Sequence, residues 1–548
     1  MPGGASPQLA HVGRGEDMGL CRREPGLSGV AGESIGLNRF EISRRDYIFG
    51  FLCGMARLHM GKTAVVIIHG IGEQRPMGTV SGFTRFFAGN FFRSKPDPQS
   101  PLFELRRLST YVDDEDNKPE RELVEEAQQK LQEYPAGTVF YEFYWAFHYR
   151  DTRPALVTRW VLLTLGRLIG AGEFSRRGRK ITTVVASCVA VALVFLLAVI
   201  FVAWGVSELM SGGGNVISGT WKIAAGILLP RVACALRPFF IGWVGDAARY
   251  LGSSPDNPIE RQQIRAAGID LLRRLHEDRD IEKQLVYDTI VLMGHSLGSV
   301  IAYDILQNYW LQVNREIKLD RNDTTVTEIE AMVGSDPPAT AESWNVPQGK
   351  SGQAYQALQA KLMAVVATKT EDTPLRRTIK DVWRVRDFVT LGCPLTYARL
   401  ILANNGKELF NRQQQRELPT CPPTKDRCAD ETGRASFVFT YTPITGANCL
   451  VPDQAAPFLL TRWTNLYFPQ DPIGGPLRPI FGWGIRDEVV QIDFSDEKKQ
   501  SLKYRLQYYM DHFFGGAHVR YWELLDDAAL EPTSVDCAAI LRKIVRGN

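Results

Sequence analysis

The sequence predicts an α/β fold, in which a mostly parallel β-sheet is covered by helices on both faces. Three observations carry this. The runs Thr63–His69 (TAVVIIH), Tyr287–Met293 (YDTIVLM) and Arg386–Leu391 (RDFVTL) are apolar and rich in β-branched residues, the pattern of strands buried on both faces. Each run ends at a glycine: Gly70, Gly294 and Gly392. Strand-like and helix-like stretches alternate along the chain, the order that builds a parallel sheet.

Taken in order, residues 1–60 form an extension ahead of the first strand. Residues 1–45 are rich in Gly, Ser and Arg and lack the apolar core of a secretory signal, so they read as disordered. Met55 or Met60 is the expected native start, with the upstream residues a mis-called addition. Residues 61–150 read as the first part of the core: the strand at 63–69, a helix at about 80–92, and an aromatic strand at 138–147 (TVFYEFYWAF).

Residues 151–256 read as a helical membrane insertion. An amphipathic helix is expected at 155–170. Residues 181–204 (ITTVVASCVAVALVFLLAVIFVAW) carry no charge, and a bilayer core is spanned by roughly 20 apolar residues. Residues 220–245 are apolar but contain Lys222, Arg231, Arg237 and two prolines. That makes a poor lone span but a workable partner in a helical hairpin, with spans at about 181–206 and 218–245, or a re-entrant segment.

Residues 257–548 read as the second part of the core. Asn257, Pro258 and Glu260 are an N-cap, a first-turn proline and a capping-box acid, and they open a helix reaching about His276. The strand at 287–293 and a helix at 299–310 follow. Residues 314–350 read as a polar loop, 353–368 as a helix, 386–391 as a strand and 405–435 as a polar insertion. Strands at 463–468 and 488–494 and a helix at 533–545 close the chain.

Bulk composition narrows the function classes. The formal charge of +3 is small for 548 residues, which gives no reason to expect nucleic acid as a partner. Nine scattered cysteines, an odd number, favour reduced thiols over a disulfide framework. Cys421 and Cys428 lack a second Cys/His pair with zinc spacing, so no metal is expected. The turn after the first strand lacks the glycine spacing of a dinucleotide site, and no cofactor is expected.

The chemistry centres on Gly294-His295-Ser296-Leu297-Gly298 (GHSLG), a G-x-S-x-G motif with a strand directly before it and a helix directly after. A serine at such a turn projects its hydroxyl from the sheet, and the flanking glycines let strand and helix approach closely. Here the chain resembles the α/β-hydrolase superfamily, in particular its lipase- and esterase-like serine hydrolases. The resemblance covers the patches 63–73, 138–147, 285–310, 386–395, 461–475 and 512–522. It implies the α/β-hydrolase fold and a nucleophile, acid and histidine in that order along the chain.

That order filters the candidates. Of eight histidines only His512 and His518 follow Ser296. His518, in the glycine-led turn GGAHVRYWEL, resembles the superfamily's histidine loop, whereas His512 sits in the apolar YYMDHFF. Asp471 follows the strand at 463–468 on a Pro/Gly-rich loop and is the expected acid, with Asp487 and Asp387 as alternatives. His69-Gly70-Ile71-Gly72 resembles the HG loop that supplies half of an oxyanion hole. The expected donors are the backbone N–H groups of Ile71 and Leu297, and loss of one such donor costs about 3 kcal/mol of transition-state stabilisation. Glu73 and Arg75 could line the pocket. Thr390–Leu395 (TLGCPL) reads as structural.

The strands at 138–147 and 287–293 belong to one expected sheet, so a single crossing between them would separate them. The chain must cross an even number of times or not at all. Arg176, Arg177, Arg179 and Lys180 precede the first span and place its start, and with it the catalytic domain, on the cytoplasmic side. The expectation is an integral membrane serine esterase acting on a lipid or another acyl ester. A thioesterase or amidase using the same residues, and a non-catalytic membrane scaffold, are the alternatives.

Overall fold

The computed structural model describes residues 62–70, 78–88, 92–96, 106–110, 138–148, 249–251, 258–279, 285–319, 324–333, 352–368, 382–426, 436–441, 449–490 and 537–547, with isolated positions that include His518 and Tyr521. Its centre is a sheet of eight strands: β1 (Lys62–Ile68), β2 (Phe92–Pro96), β3 (Arg106–Thr110), β4 (Thr138–Phe143), β5 (Tyr287–His295), β6 (Val385–Leu391), β9 (Arg462–Tyr467) and β10 (Arg486–Val489). Strands β7 (Val438–Tyr441) and β8 (Cys449–Pro452) form a separate antiparallel hairpin.

The strand order is β10-β9-β6-β5-β1-β4-β3-β2. The six strands from β10 to β4 pair in parallel, while β3 and β2 add an antiparallel edge that the sequence did not announce. The expected α/β class, mostly parallel, is what is observed.

The apolar run of β1 is explained by its central place. Six of its seven residues are buried. Ala64, Val66 and Ile68 face one layer of side chains, with Val300, Ile301 and Leu271. Val65 and Ile67 face the other, with Val80, Phe83, Leu541 and Ile544. Helices α1 (Gly78–Ala88) and α7 (Cys537–Arg546) therefore cover one face, and α2 (Pro258–Glu277) and α3 (Leu297–Val313) the other. Because β4 and β5 lie on opposite sides of β1, the connections reverse direction at β1. In open α/β sheets the crevice at the carboxyl ends of such strands is where ligands bind.

Several stretches differ from the sequence reading. The strand expected at 138–147 ends at Phe143, and Ala146–His148 turn into a short 3-10 helix. The polar stretch 314–350 is not loop throughout: it contains helix α4 (Thr324–Val333), which buries Thr325, Val326 and Ile329. Helix α5 spans Gly352–Thr368. The polar insertion at 405–435 contains helix α6 (Gly406–Gln414) and then a packed segment in which Leu418 and Cys421 are buried. Gly484 N–H donates to Cys421 O, and Cys421 N–H to Phe481 O, so this segment is built into the domain.

Among the described residues no helix is long and apolar enough to cross a membrane. The expected spans at 181–206 and 218–245 lie outside the described residues, apart from Trp204 and Val206, which are helical and exposed. The expected helix at 155–170 lies outside them except for Leu163 and Gly166, and the extension 1–60 lies wholly outside.

Candidate active site

Strand β5 delivers Ser296 to the crevice, and α3 begins at the next residue. Ser296 has φ 52° and ψ −130°, a backbone state that L-residues avoid and that costs on the order of 1–3 kcal/mol. Neighbouring bonds hold it there. Ser296 N–H donates to Leu391 O on β6 (2.9 Å), and Ser299 N–H donates to Ser296 O (3.0 Å). The Ser299 hydroxyl donates to Gly294 O (2.7 Å). The two glycines of the motif are required by close approach. A Cβ on Gly298 would lie 2.3 Å from the carbonyl oxygens of Ile68 and His69, and one on Gly294 would lie 2.5 Å from Ser299 Cα.

Ser296 Oγ and His518 Nε2 are 2.7 Å apart, with the hydroxyl donating to the ring nitrogen. On the other side of the ring, Nδ1–H donates to Asp471, 2.9 Å from Oδ2 and 3.0 Å from Oδ1. This fixes the tautomer, since a carboxylate can only accept. All three side chains are buried: Ser296 is 2% exposed, His518 1% and Asp471 0%.

The Asp471 carboxylate is well supplied with donors. Ile473 N–H reaches Oδ1 at 2.7 Å, and the Tyr521 hydroxyl reaches Oδ2 at 2.8 Å. Burial alone would raise its pKa. The His518 charge beside it, with hydrogen bonds from His518, the Gly474 backbone and Tyr521, outweighs burial and holds it at about 2. The group is therefore an anion throughout the neutral range.

The other expected residues are placed as follows. Leu297 opens α3, so its N–H is among the first four that a helix leaves without an internal acceptor. His69 and Gly70 follow β1 and lie against Ser296, and a Cβ on Gly70 would lie 2.9 Å from Ser296 Cβ. His69 Nδ1–H donates to Gly70 O (2.7 Å), Nε2 accepts from Trp145 N–H (3.3 Å), and the ring stacks on Trp145. Burial lowers its pKa to about 4, so it is neutral and pins the end of β1 to the chain after β4. Ile71, Gly72, Glu73, Arg75, His512 and Cys428 lie outside the described residues.

The alternative acids are engaged elsewhere. Asp387 pairs in register with Val291, five residues short of Ser296, and accepts from Arg386 Nε–H and from Arg462 Nε–H and Nη2–H. Asp487 accepts from Leu477 N–H, Arg478 N–H and the Asn465 side chain. Burial raises its pKa against those donors. Neither reaches His518.

Three residues that the sequence did not single out for these roles complete the surroundings. Tyr521 donates to Asp471 as above. His295, read only as part of the turn, donates from Nε2 to His518 O (2.8 Å). Gly392 has φ +56°, and a Cβ there would lie 2.8 Å from Asp471 Oδ2 and 3.0 Å from His518 Nδ1. The stretch TLGCPL thus does more than end β6. For Tyr521 the available signal was its position three residues after His518 in the same short segment.

Among the described residues no three His, Cys, Asp or Glu side chains converge as metal ligands would. The chain matches no protein-family model, no curated protein and no solved structure.

Proposed function

We propose that this chain is a serine hydrolase of the α/β-hydrolase type, anchored in a membrane, that cleaves carboxylic esters, its substrate being a lipid. One observation carries the reading: the unbroken hydrogen-bond chain from Ser296 Oγ through the His518 ring to the Asp471 carboxylate. It stands at the carboxyl end of β5, on a strained strand-to-helix turn.

In this mechanism Ser296 Oγ attacks the acyl carbonyl carbon while His518 Nε2 takes its proton. Asp471 holds the ring in the Nδ1–H tautomer and stabilises the imidazolium. The carbonyl electrons move to the oxygen, which is bound by the N–H of Leu297 and, on the HG-loop reading, of Ile71. When the carbonyl re-forms, the C–O bond to the leaving group breaks and His518 gives that oxygen its proton. Water, deprotonated by His518, then cleaves the acyl-enzyme and frees Ser296.

The bilayer anchor rests on the uncharged run 181–204 and on the sheet around it. Strands β4 and β5 both pair with β1, so whatever the intervening residues cross they must cross back. With basic residues at 176–180, the positive-inside rule puts the sheet in the cytoplasm.

A fluorophosphonate probe tests the chemistry. It should label the wild type and not Ser296→Ala, and absence of labelling that depends on Ser296 would make the chain a scaffold. Turnover of matched oxyester, thioester and amide substrates then distinguishes an esterase from a thioesterase or amidase. Carbonate extraction tests the anchor, because release into the soluble fraction would remove it.

A further inference from the structure

We propose that Tyr521 and His295 act as positioning residues for this site, one holding the acid and the other the backbone of the histidine. The inference rests on the hydrolase reading above and extends it beyond the three reacting side chains.

The two contacts hold residues three positions apart in the chain. The Tyr521 hydroxyl donates to Asp471 Oδ2 (2.8 Å) and accepts from Phe468 N–H (3.1 Å). It thereby ties the carboxylate to the end of β9, the strand whose loop carries Asp471. The ring packs on Phe468 with centroids 4.6 Å apart, and Tyr521 is 1% exposed. His518 Nδ1–H and the Tyr521 hydroxyl reach the same carboxylate from positions three residues apart. The acid can rotate only by breaking one of them.

His295 works from the nucleophile's side. It is the residue before Ser296, and its Nε2–H donates to the His518 carbonyl (2.8 Å). Its ring lies 4.9 Å from the His518 ring and 5.6 Å from that of Tyr521. Nucleophile and histidine are separated by more than 200 residues of chain, and this bond couples their backbones directly. Burial, and then the charge of His518, holds His295 neutral with a pKa near 3, so it stays a single-proton donor while His518 cycles its charge.

A positioning role predicts a loss in the rate of the covalent step with little change in binding. The readouts are the second-order rate of Ser296 labelling by the fluorophosphonate on the full-length chain, and the low-field proton resonance of His518 Nδ1–H. Tyr521→Phe should slow labelling roughly 10- to 100-fold, the worth of one hydrogen bond to a charged group, and shift or broaden that resonance, with probe affinity unchanged. His295→Ala should slow labelling similarly. His295→Gln should restore most of it, since its amide can donate to the same carbonyl. A folded Tyr521→Phe that labels at the wild-type rate with an unmoved resonance overturns the proposal. Should Tyr521→Phe not fold, the His295 pair decides, and equal rates for Ala, Gln and wild type overturn it. Wild-type protein that never labels at Ser296 defeats the hydrolase reading instead.

Discussion

At the scale of single residues, the site concentrates backbone strain and unusual protonation. Ser296 holds a φ of 52° that glycine adopts freely. Ser296→Gly should therefore be more stable than Ser296→Ala by about 1 kcal/mol, the relieved strain less the added freedom of the unfolded chain. Urea unfolding of the two variants checks this, and an alanine form as stable as the glycine form would show that the turn is not strained. The acid side of the pH profile also has a definite sign. Asp471 sits at about 2, below its ordinary 3.8, so its contribution of about 2 kcal/mol is present above the unfolded value and is lost as pH falls through about 2. His276 acts earlier. It is buried, donates from Nδ1 to Leu272 O, accepts at Nε2 from Arg384 N–H, and has its pKa lowered by burial to about 3. The unfolded chain takes up a proton at that position below about 6.5 and the folded chain does not. Stability should fall by about 1.4 kcal/mol per pH unit from about 6.5 down to about 3 on its account. His276→Gln should reduce the measured slope in urea titrations between pH 7 and 5, leaving the share that the likewise buried His69 and His295 contribute, and an unchanged slope would remove the assignment.

At the scale of elements, the instructive cases are the helices inside stretches that read as polar loop. Helix α6 had its signal in the chain: Asn405 is the N-cap and Glu408 stands three residues on. Asn405 Oδ1 accepts from Glu408 N–H (2.9 Å), and the Glu408 carboxylate accepts from Asn404 N–H (3.1 Å). Its low apolar content hid it, because only Leu409 and Gln413 are buried. Helix α4 is held by the packing of Thr325, Val326 and Ile329, contacts that a polar stretch does not announce. The C-terminal helix α7 was expected, at 533–545, but not what fastens it. Arg386 on β6 donates to the carbonyls of Ile544 (2.6 Å) and Val545 (3.2 Å), which a helix end leaves without internal partners. Arg386→Ala should lower global stability by about 2 kcal/mol in urea melts, as for lost hydrogen bonds to a charged group. A change within 0.5 kcal/mol would show that the helix is held by Leu541 and Ile544 alone.

At the scale of the whole molecule, one sheet joins chain segments that the long apolar stretch separates. Strands β1 and β4 come before it and β5, β6, β9 and β10 after it, yet all six share one parallel ladder. Epitope tags placed before β1 and after α7 should therefore bracket a domain that lies on one side of any membrane. In sealed vesicles, protease should reach native surface sites in 258–279 and 78–88 together or not at all. Access to one without the other would contradict the sheet, since these helices cover opposite faces of the same strands.

The sequence by itself determined the α/β class, the parallel strands, with the last read at 488–494 and found at Arg486–Val489, and the trio Ser296, His518 and Asp471 as candidates. These are local signals: β-branched runs read as buried strands, and the GHSLG turn with the order of acid and histidine needs no distances. Only the tertiary structure decided that Asp471 and not Asp387 or Asp487 meets His518, because strand register and loop course set which carboxylate reaches the ring. Tyr521 and His295 stood in plain view as an ordinary aromatic and a turn residue. Their partners, Asp471 and the His518 carbonyl, lie 50 and 223 residues away, and proximity across such separations is a property of the folded sheet and not of the chain.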